Sequence, residues 1–419
     1  MIALIFTASA LAAPEPSDDV LIRRVERILT KTPLIDGHND VPWQIRSRAG
    51  GDLERLPFAE GTAALDPPMH TDLPRLREGL SGGVFWSVWV PTSLEGPEAV
   101  LATLEQIDTV HRMAEAWPDD LTIARTAEEI VRIHRRGRIA SLIGMEGGHS
   151  IHNSLGALRM MYEAGARYMT LTHWSNTDWA DAATDAPEHD GLTDFGRTVI
   201  AEMNRIGMLV DLSHVSAATM HDALQISAAP VIFSHSGAFA INPHPRNVPD
   251  EVLDQVRLNG GVVMVDFLPA YVSADCHAHQ AARRAEISRL ETMHLGDPQG
   301  QEQALVAWDN AHPAPRSTLG QVADHIDHIK DRIGAEHIGL GSDYDGMSDA
   351  PDGLDDASQV PALLVELLRR GYTDAQVAGI AGGNLLRVLK AAEEVSSRLS
   401  SEGLSSASRL EPSTSEASR

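Results

Sequence analysis

Residues 34–40 read Leu-Ile-Asp-Gly-His-Asn-Asp, and the reading of this stretch decides the fold. An apolar run ends at Ile35, and a polar cluster of Asp36, His38 and Asp40 follows at once. Side chains alternate faces along a strand, so His38 and Asp40, two apart, point the same way. One imidazole and one carboxylate facing inward at the C-terminal end of a buried strand make half a metal site. A His-x-Asp at a strand end is, on its own, more often a hydrogen-bonded pair. The metal reading gains its weight from recurrence of the pattern further along the chain.

Short apolar or β-branched runs give eight strand candidates: Leu34–Asp36, Val84–Val90, Ala140–Met145, Tyr168–Thr172, Met208–Leu212, Val231–Phe233, Val262–Phe267 and His337–Leu340. Helical spacing separates them, as in Glu98–Trp117, Ser154–Glu163, Thr193–Ile206, Thr219–Ile226, Val322–Ile333 and Ala362–Arg370. Eight strands alternating with helices predict an α/β fold, a (β/α)8 TIM barrel. A doubly wound open sheet would place a Gly-rich phosphate turn after its first strand, and Asp-Gly-His-Asn-Asp is not one. Two segments interrupt the alternation. Residues 44–79 read as a long loop, and residues 271–317 as an insertion after strand 7 with one helix near Ala281–Met293, a candidate rim or lid.

The C-terminal strand ends carry a set of chemically related groups. The first gives His38 and Asp40, the third Glu146, the fourth His173, the fifth His214, the sixth His235, and the eighth Asp343 and Asp345. Ionisable groups at six of eight ends, on the face where barrel enzymes keep their chemistry, point to a metal site. His38, His214 and His235 with Asp40 and Glu146 are too many donors for one catalytic zinc, which takes three protein ligands and a water. Two ions fit if Glu146 bridges them, and mixed imidazole and carboxylate favour Zn2+ over Mg2+. His173 could then steady an oxyanion, and Asp343 could carry a proton from the attacking water to a leaving amine.

Composition narrows the classes. At 419 residues the chain is long enough for one large barrel, and its net charge of −25 argues against nucleic acid as a partner. The single Cys276 excludes an intramolecular disulfide and a cysteine-based zinc site. Residues 1–13, an apolar Ile2–Phe6 followed by Ala10-Leu11-Ala12, read as a signal peptide that would send residues 14–396 to the periplasm or outside the cell; a cytoplasmic location is the alternative. No stretch is long and apolar enough for a membrane span. Residues 397–419, rich in Ser, Glu and Ala, read as a disordered tail.

His38-Asn-Asp40, Glu146-Gly-Gly-His-Ser-Ile, Leu171-Thr-His-Trp-Ser-Asn-Thr, Asp211-Leu-Ser-His-Val-Ser, Phe233-Ser-His-Ser, Arg246-Asn-Val-Pro-Asp and Gly341-Ser-Asp-Tyr-Asp-Gly together resemble the membrane (renal) dipeptidase family, peptidase family M19. The resemblance runs in order from about Thr32 to Leu389. It implies a dizinc dipeptidase on an amidohydrolase-like barrel, with His38, Asp40 and Glu146 on one zinc and Glu146, His214 and His235 on the other. It also implies that His173, Arg246 and Asp343 contact substrate, Arg246 gripping a free carboxylate, that D-residues are tolerated at the C-terminal position, and that the chain forms a homodimer. With one cysteine and no hydrophobic C-terminus, the sequence departs from the disulfide-bonded, lipid-anchored animal members and resembles the bacterial branch.

Two other functions compete. One is a different amidohydrolase acting on amides or lactones; none of the three lysines (Lys31, Lys330, Lys390) lies on a candidate strand, which removes the subclass bridged by a carboxylated lysine. The other is a metal-binding protein without catalysis. Cys276-His-Ala-His279 looks like a metal hook but reads as structural. His325 and His328 read as a packing or solvated face, and His149 and His152 as supports for the site at most.

Overall fold

The computed structural model describes residues 17–401. Its strands are β1 (Leu34–Asn39), β2 (Ser81–Trp89), β3 (Leu121–Ile123), β4 (Ile139–Glu146), β5 (Ala166–Thr170), β6 (Leu209–Asp211), β7 (Ile232–Phe233), β8 (Val262–Val265) and β9 (Ile338–Leu340). The parallel order β2-β1-β9-β8-β7-β6-β5-β4 closes on itself through a β2–β4 ladder running from Gly83↔Ala140 to Trp89↔Glu146. This is the expected eight-stranded barrel, and the sequence reading misses only β3. Three residues are too few to show a period. β3 pairs with Ile139–Ser141 of β4, below the point where β5 joins at Ile143, so it stays outside the ring.

Alternation within each strand divides the core. Phe85, Leu142, Tyr168, Leu209, Ile232, Val262 and Met264 pack together, while neighbours such as Val84, Trp86, Ile143, Met169, Val210 and Val263 belong to the layer shared with the helices. Gly144 is what admits Tyr168, because a Cβ there would collide with the Tyr168 ring. Several strands end earlier than the apolar runs suggest. From Asp211 onward its carboxylate accepts the Ser213 and Ser234 N–H groups (3.1 and 2.8 Å), and side chain replaces ladder at the mouth of the barrel.

The insertion is more ordered than the expected single helix. It contains helical residues Pro269–Val272, Ala274–Met293 and Pro298–Ala311, the last two coupled by a bidentate Arg283–Asp309 pair (2.8 and 2.9 Å). The region read as a loop, 44–79, likewise contains Val41–Ala49 and Leu73–Glu78, with Asp72 capping the second helix and accepting from Thr62 N–H. The last helix, Asn384–Ser401, carries regular structure five residues into the segment expected to be a tail; residues 1–13 and 402–419 lie outside the described residues. No helix among the described residues is long and apolar enough to cross a membrane.

His325 belongs to the core and not to a solvated face. Its Nδ1 accepts the Ala238 N–H (2.9 Å), so Nε2 carries the proton and donates to Val272 O (3.0 Å). One imidazole thereby ties helix Leu319–Ile333 to the loop after β7 and to the start of the insertion. Burial lowers its pKa to about 4. An unfolded histidine titrates near 6.5, so between those values the unfolded state binds the extra proton and stability falls as pH falls. This window should cost on the order of 3 kcal/mol. In denaturant titrations at pH 7, 5.5 and 4, His325→Leu should show a shallower loss than wild type; equal slopes would mean that His325 is not the group responsible.

Candidate metal centre

The barrel mouth gathers the side chains that the sequence singles out. Glu146 is the last residue of β4 and faces inward, two along from Gly144 and four from Leu142. Its Oε2 faces His38 Nε2 (3.4 Å) and accepts from Ser87 Oγ (3.2 Å). Its Oε1 faces His214 Nε2 (3.0 Å), His235 Nε2 (3.4 Å) and His173 Nε2 (3.6 Å). Asp40 Oδ2 is 3.4 Å from His38 Nε2. All seven side chains are buried. Burial works to raise the Glu146 carboxyl, but the surrounding His38 and His173 hold it well below the usual carboxylate range.

Hydrogen bonds on the far side of three of the rings set whether the nitrogen facing Glu146 is a lone pair or a donor; His214 Nδ1 is buried without such a partner. The Tyr168 hydroxyl donates to Gly37 O (3.2 Å), so at His38 Nδ1 (2.9 Å) it accepts, and His38 Nε2 keeps its lone pair. Ser234 Oγ donates to Asp211 (2.6 Å) and accepts from His235 Nδ1 (2.8 Å), with the same result for His235 Nε2. His173 is the opposite case. Its Nδ1 lies 3.1 Å from Trp89 Nε1, which can only donate, so His173 Nε2 carries a proton. Burial lowers the His173 pKa to about 4, keeping this neutral donor tautomer.

These donors suit metal ions. His38 Nε2 is buried without a hydrogen-bond partner, and His214 Nε2 and His235 Nε2 lie 3.0 Å apart against one carboxylate oxygen. Lone pairs that converge in this way are satisfied by cations. Proximity alone groups His38 with Glu146 and His235, Glu146 with His173 and His214, and His38 with Asp40 and Asp343. The protonated Nε2 of His173 argues against a ligand role for that residue, despite its place in the second group.

Asp343 and Asp345 both line the inner chamber but hold different partners. Asp345 Oδ1 accepts the His70 N–H (2.7 Å) and its backbone O accepts from Gln44 (2.6 Å), so it anchors a neighbouring loop. The Asp343 carboxylate borders the chamber, its acidity weakened by burial and by nearby Asp266 and Asp40. Gly346 makes their approach possible: a Cβ there would run into Asp40 Oδ2 and Asp343 Oδ1. His214, Asp343 and Asp345 all have positive φ (67°, 60° and 69°), strain that only a tightly determined site sustains.

Arg246 is fully buried and makes no ion pair among the described residues. It donates to His235 O (3.1 Å) and Ser236 Oγ (3.4 Å), and its guanidinium lies 5.2 Å from the Tyr271 ring centroid. Asp250, an acidic residue four positions further along the chain, is held by His328 (2.7 Å). The inner chamber, about 240 Å3, has Trp43, Trp89 and Trp174 on its wall. A larger cavity of about 760 Å3 shares Trp174, Leu268, Tyr271 and Gly346 with it and takes the rest of its wall largely from the insertion, which is therefore a rim. The sequence reading missed Trp89 and Asp266. Both continue an inward alternation, Phe85-Ser87-Trp89 and Val262-Met264-Asp266, and that parity was the available signal. The Cys276–His279 segment holds no metal cluster: Cys276 donates to Pro315 O and His279 contacts His312 O.

A family model described as "Membrane dipeptidase (Peptidase family M19)" matches residues 22–403. The chain belongs to peptidase family M19. It is 41% identical over 397 residues to Dipeptidase verJ of Clonostachys rogersoniana, covering 92% of this chain and 90% of that protein. Its fold is similar to the probable dipeptidase PvdM from Pseudomonas aeruginosa (TM-score 0.76, 22% identity, 90% of this chain and 99% of that one). It is also similar to a metallo peptidase from Rhodobacter sphaeroides, solved with a phosphinate mimic of the dipeptide L-Ala-D-Ala (TM-score 0.70, 24% identity, 86% and 99%). This M19 chain is a zinc-dependent hydrolase of the metallo-dipeptidase type, with a site for two zinc ions that share Glu146.

Elemental analysis of protein purified without chelator should give close to two zinc ions per chain, and a fully active protein with one would contradict a bridging Glu146. Tyr168→Phe, which removes the hydroxyl shared by His38 Nδ1 and Gly37 O, should weaken zinc binding about 10- to 100-fold in competition with a chromogenic chelator. An unchanged affinity would mean that the Tyr168 hydroxyl does not orient the ligand.

Proposed function

We propose that this enzyme cleaves dipeptides bearing a free C-terminal carboxylate and accepts D-residues at that position. The observation that carries the reading is the division of labour around Glu146. Its two oxygens face different imidazoles, His38 and His235 through bare nitrogens, while the imidazole whose facing nitrogen is fixed as protonated, His173, is left to face substrate. In this reading His38, Asp40 and Glu146 hold one zinc, and Glu146, His214 and His235 the other. When bound, the pair brings the pKa of water toward neutrality and polarises the scissile carbonyl.

The remaining steps belong to side chains. His173 Nε2–H donates to the carbonyl oxygen as negative charge develops on it, and a neutral donor held by Trp89 needs no reorganisation to do so. Asp343, whose proton affinity is raised, takes the proton from the attacking water and delivers it to the nitrogen of the breaking C–N bond. Arg246, buried and without a carboxylate of its own, binds the substrate's terminal carboxylate. A guanidinium reads that planar group through two parallel hydrogen bonds. The tryptophan wall of the small chamber keeps bulk water from the reacting atoms. The Rhodobacter protein with its L-Ala-D-Ala mimic supports acceptance of a D-residue.

The discriminating assay is a panel of L,L- and L,D-dipeptides beside their C-terminal amides, with and without chelator. Free acids of both series should be hydrolysed in a chelator-sensitive way. Amides should lose about 10²–10³ in kcat/KM, the cost of a buried charge left unpaired. Amides cleaved as fast as acids would overturn the reading. Asp343→Asn should keep both zinc ions while lowering kcat by about 10²–10⁴. Loss of zinc would make Asp343 a ligand instead, and a large effect confined to Asp345→Asn would transfer the role.

A further inference from the structure

Asp266 is a buried carboxylate that the mechanism above uses only as one of the negative charges raising the proton affinity of Asp343. It follows Val262 and Met264 at the inward positions of β8, one residue past the end of the strand, and is 1% exposed. Parallel pairing of Ile232 with Val262 and Phe233 with Val263 carries the register forward so that Asp266 comes level with Ser236; the Ser236 N–H donates to Met264 O (2.9 Å). Ser236 Oγ and the neighbouring His235 O are the two acceptors of the Arg246 guanidinium. Asp266 Oδ1 accepts the Leu268 N–H (2.6 Å) and so starts the turn Pro269–Val272, which presents Tyr271 to the same guanidinium.

Two polar atoms are left over. Asp266 Oδ2 and Arg246 Nε are both buried without a hydrogen-bond partner. An orphaned carboxylate oxygen and an orphaned guanidinium N–H in one water-poor corner are each costly alone and compensate one another in charge. Burial raises the Asp266 carboxyl to about 7, and the Arg246 guanidinium is the first of the charges that oppose the rise. Among the described residues no ion pair fixes the guanidinium from another direction, and its two acceptors, His235 O and Ser236 Oγ, are uncharged.

We propose that Asp266 is a positioning residue that holds the Arg246 guanidinium, directly through its charge and indirectly through the Leu268–Tyr271 turn, in the orientation that receives the substrate's terminal carboxylate. This deepens the dipeptidase reading and rests on Arg246 being the carboxylate clamp. Asp266 touches neither the scissile bond nor the ligands of the metal ions in this account. Its loss acts on recognition of the carboxylate before it acts on the chemical step.

The test compares Asp266→Asn, Arg246→Ala and the double variant on one dipeptide and its C-terminal amide, with zinc content measured for each. Asparagine keeps an acceptor for Leu268 N–H and removes the charge. Asp266→Asn should raise KM for the free acid at least tenfold, change kcat less, retain both zinc ions, and lower the acid-to-amide ratio of kcat/KM at least tenfold. The double variant should lose no more acid preference than Arg246→Ala alone, because both changes remove one function. If Asp266→Asn is insoluble, Asp266→Ser makes the same comparison. An unchanged acid-to-amide ratio in the Asp266 variant, with Arg246→Ala losing it, overturns the proposal and leaves the clamp intact. Equal losses on acid and amide would reduce Asp266 to a structural role and also overturn it. If Arg246→Ala itself keeps the ratio, the clamp fails and the proposal fails with it.

Discussion

The structure depends on one carboxylate placed among imidazoles inside a closed barrel. Glu146 faces four histidines at 3.0 to 3.6 Å, and none of these five side chains has useful access to bulk water. A carboxylate and several bare nitrogens in such a place are costly unless cations join them. Metal binding is therefore coupled to the integrity of the barrel mouth, and ligands that bind only when deprotonated make that coupling acid-sensitive. The barrel supplies these groups because eight inward-facing strand ends converge there, each able to contribute one residue.

What converts a cluster into a centre is the layer behind it. Gly144 leaves space for Tyr168, Tyr168 fixes the proton on His38 Nδ1, and Asp211 does the same for His235 through Ser234. Asp36 accepts from Ser342 N–H and Oγ (2.8 and 2.6 Å), which pins the loop carrying Asp343 to the strand carrying His38. Trp89 reverses the tautomer at His173 alone. Four chemically identical rings thus acquire two functions from their neighbours, three offering lone pairs or lacking a partner on the far side, and one offering a proton.

Much of this was legible in the residues. The barrel followed from strand-sized apolar runs, and the metal-facing residues followed from polar groups closing those runs. The eight site residues expected from the sequence all lie at the same mouth. Illegible parts share a physical cause. β3 is too short to show a period, and the insertion's two helices are amphipathic only weakly because one wall faces a cavity. Trp89 and Asp266 hid inside runs read as plain strand, where a tryptophan passes for core and a terminal aspartate for a solvated end. In the helix expected over Glu98–Trp117, the apolar Leu101 and Leu104 are exposed, while Gln106 and Thr103 are buried through hydrogen bonds to Trp89 O and Ala99 O. Spacing identifies a face; it does not say which polar groups find partners there.

Anomalous diffraction at the zinc edge, from crystals grown with zinc, tests the central claim most directly. The account predicts two peaks, one beside each oxygen of Glu146, with His38 and Asp40 on the first and His214 and His235 on the second, and His173 Nε2 bound to neither. A single peak, or a peak within bonding distance of His173, would contradict it.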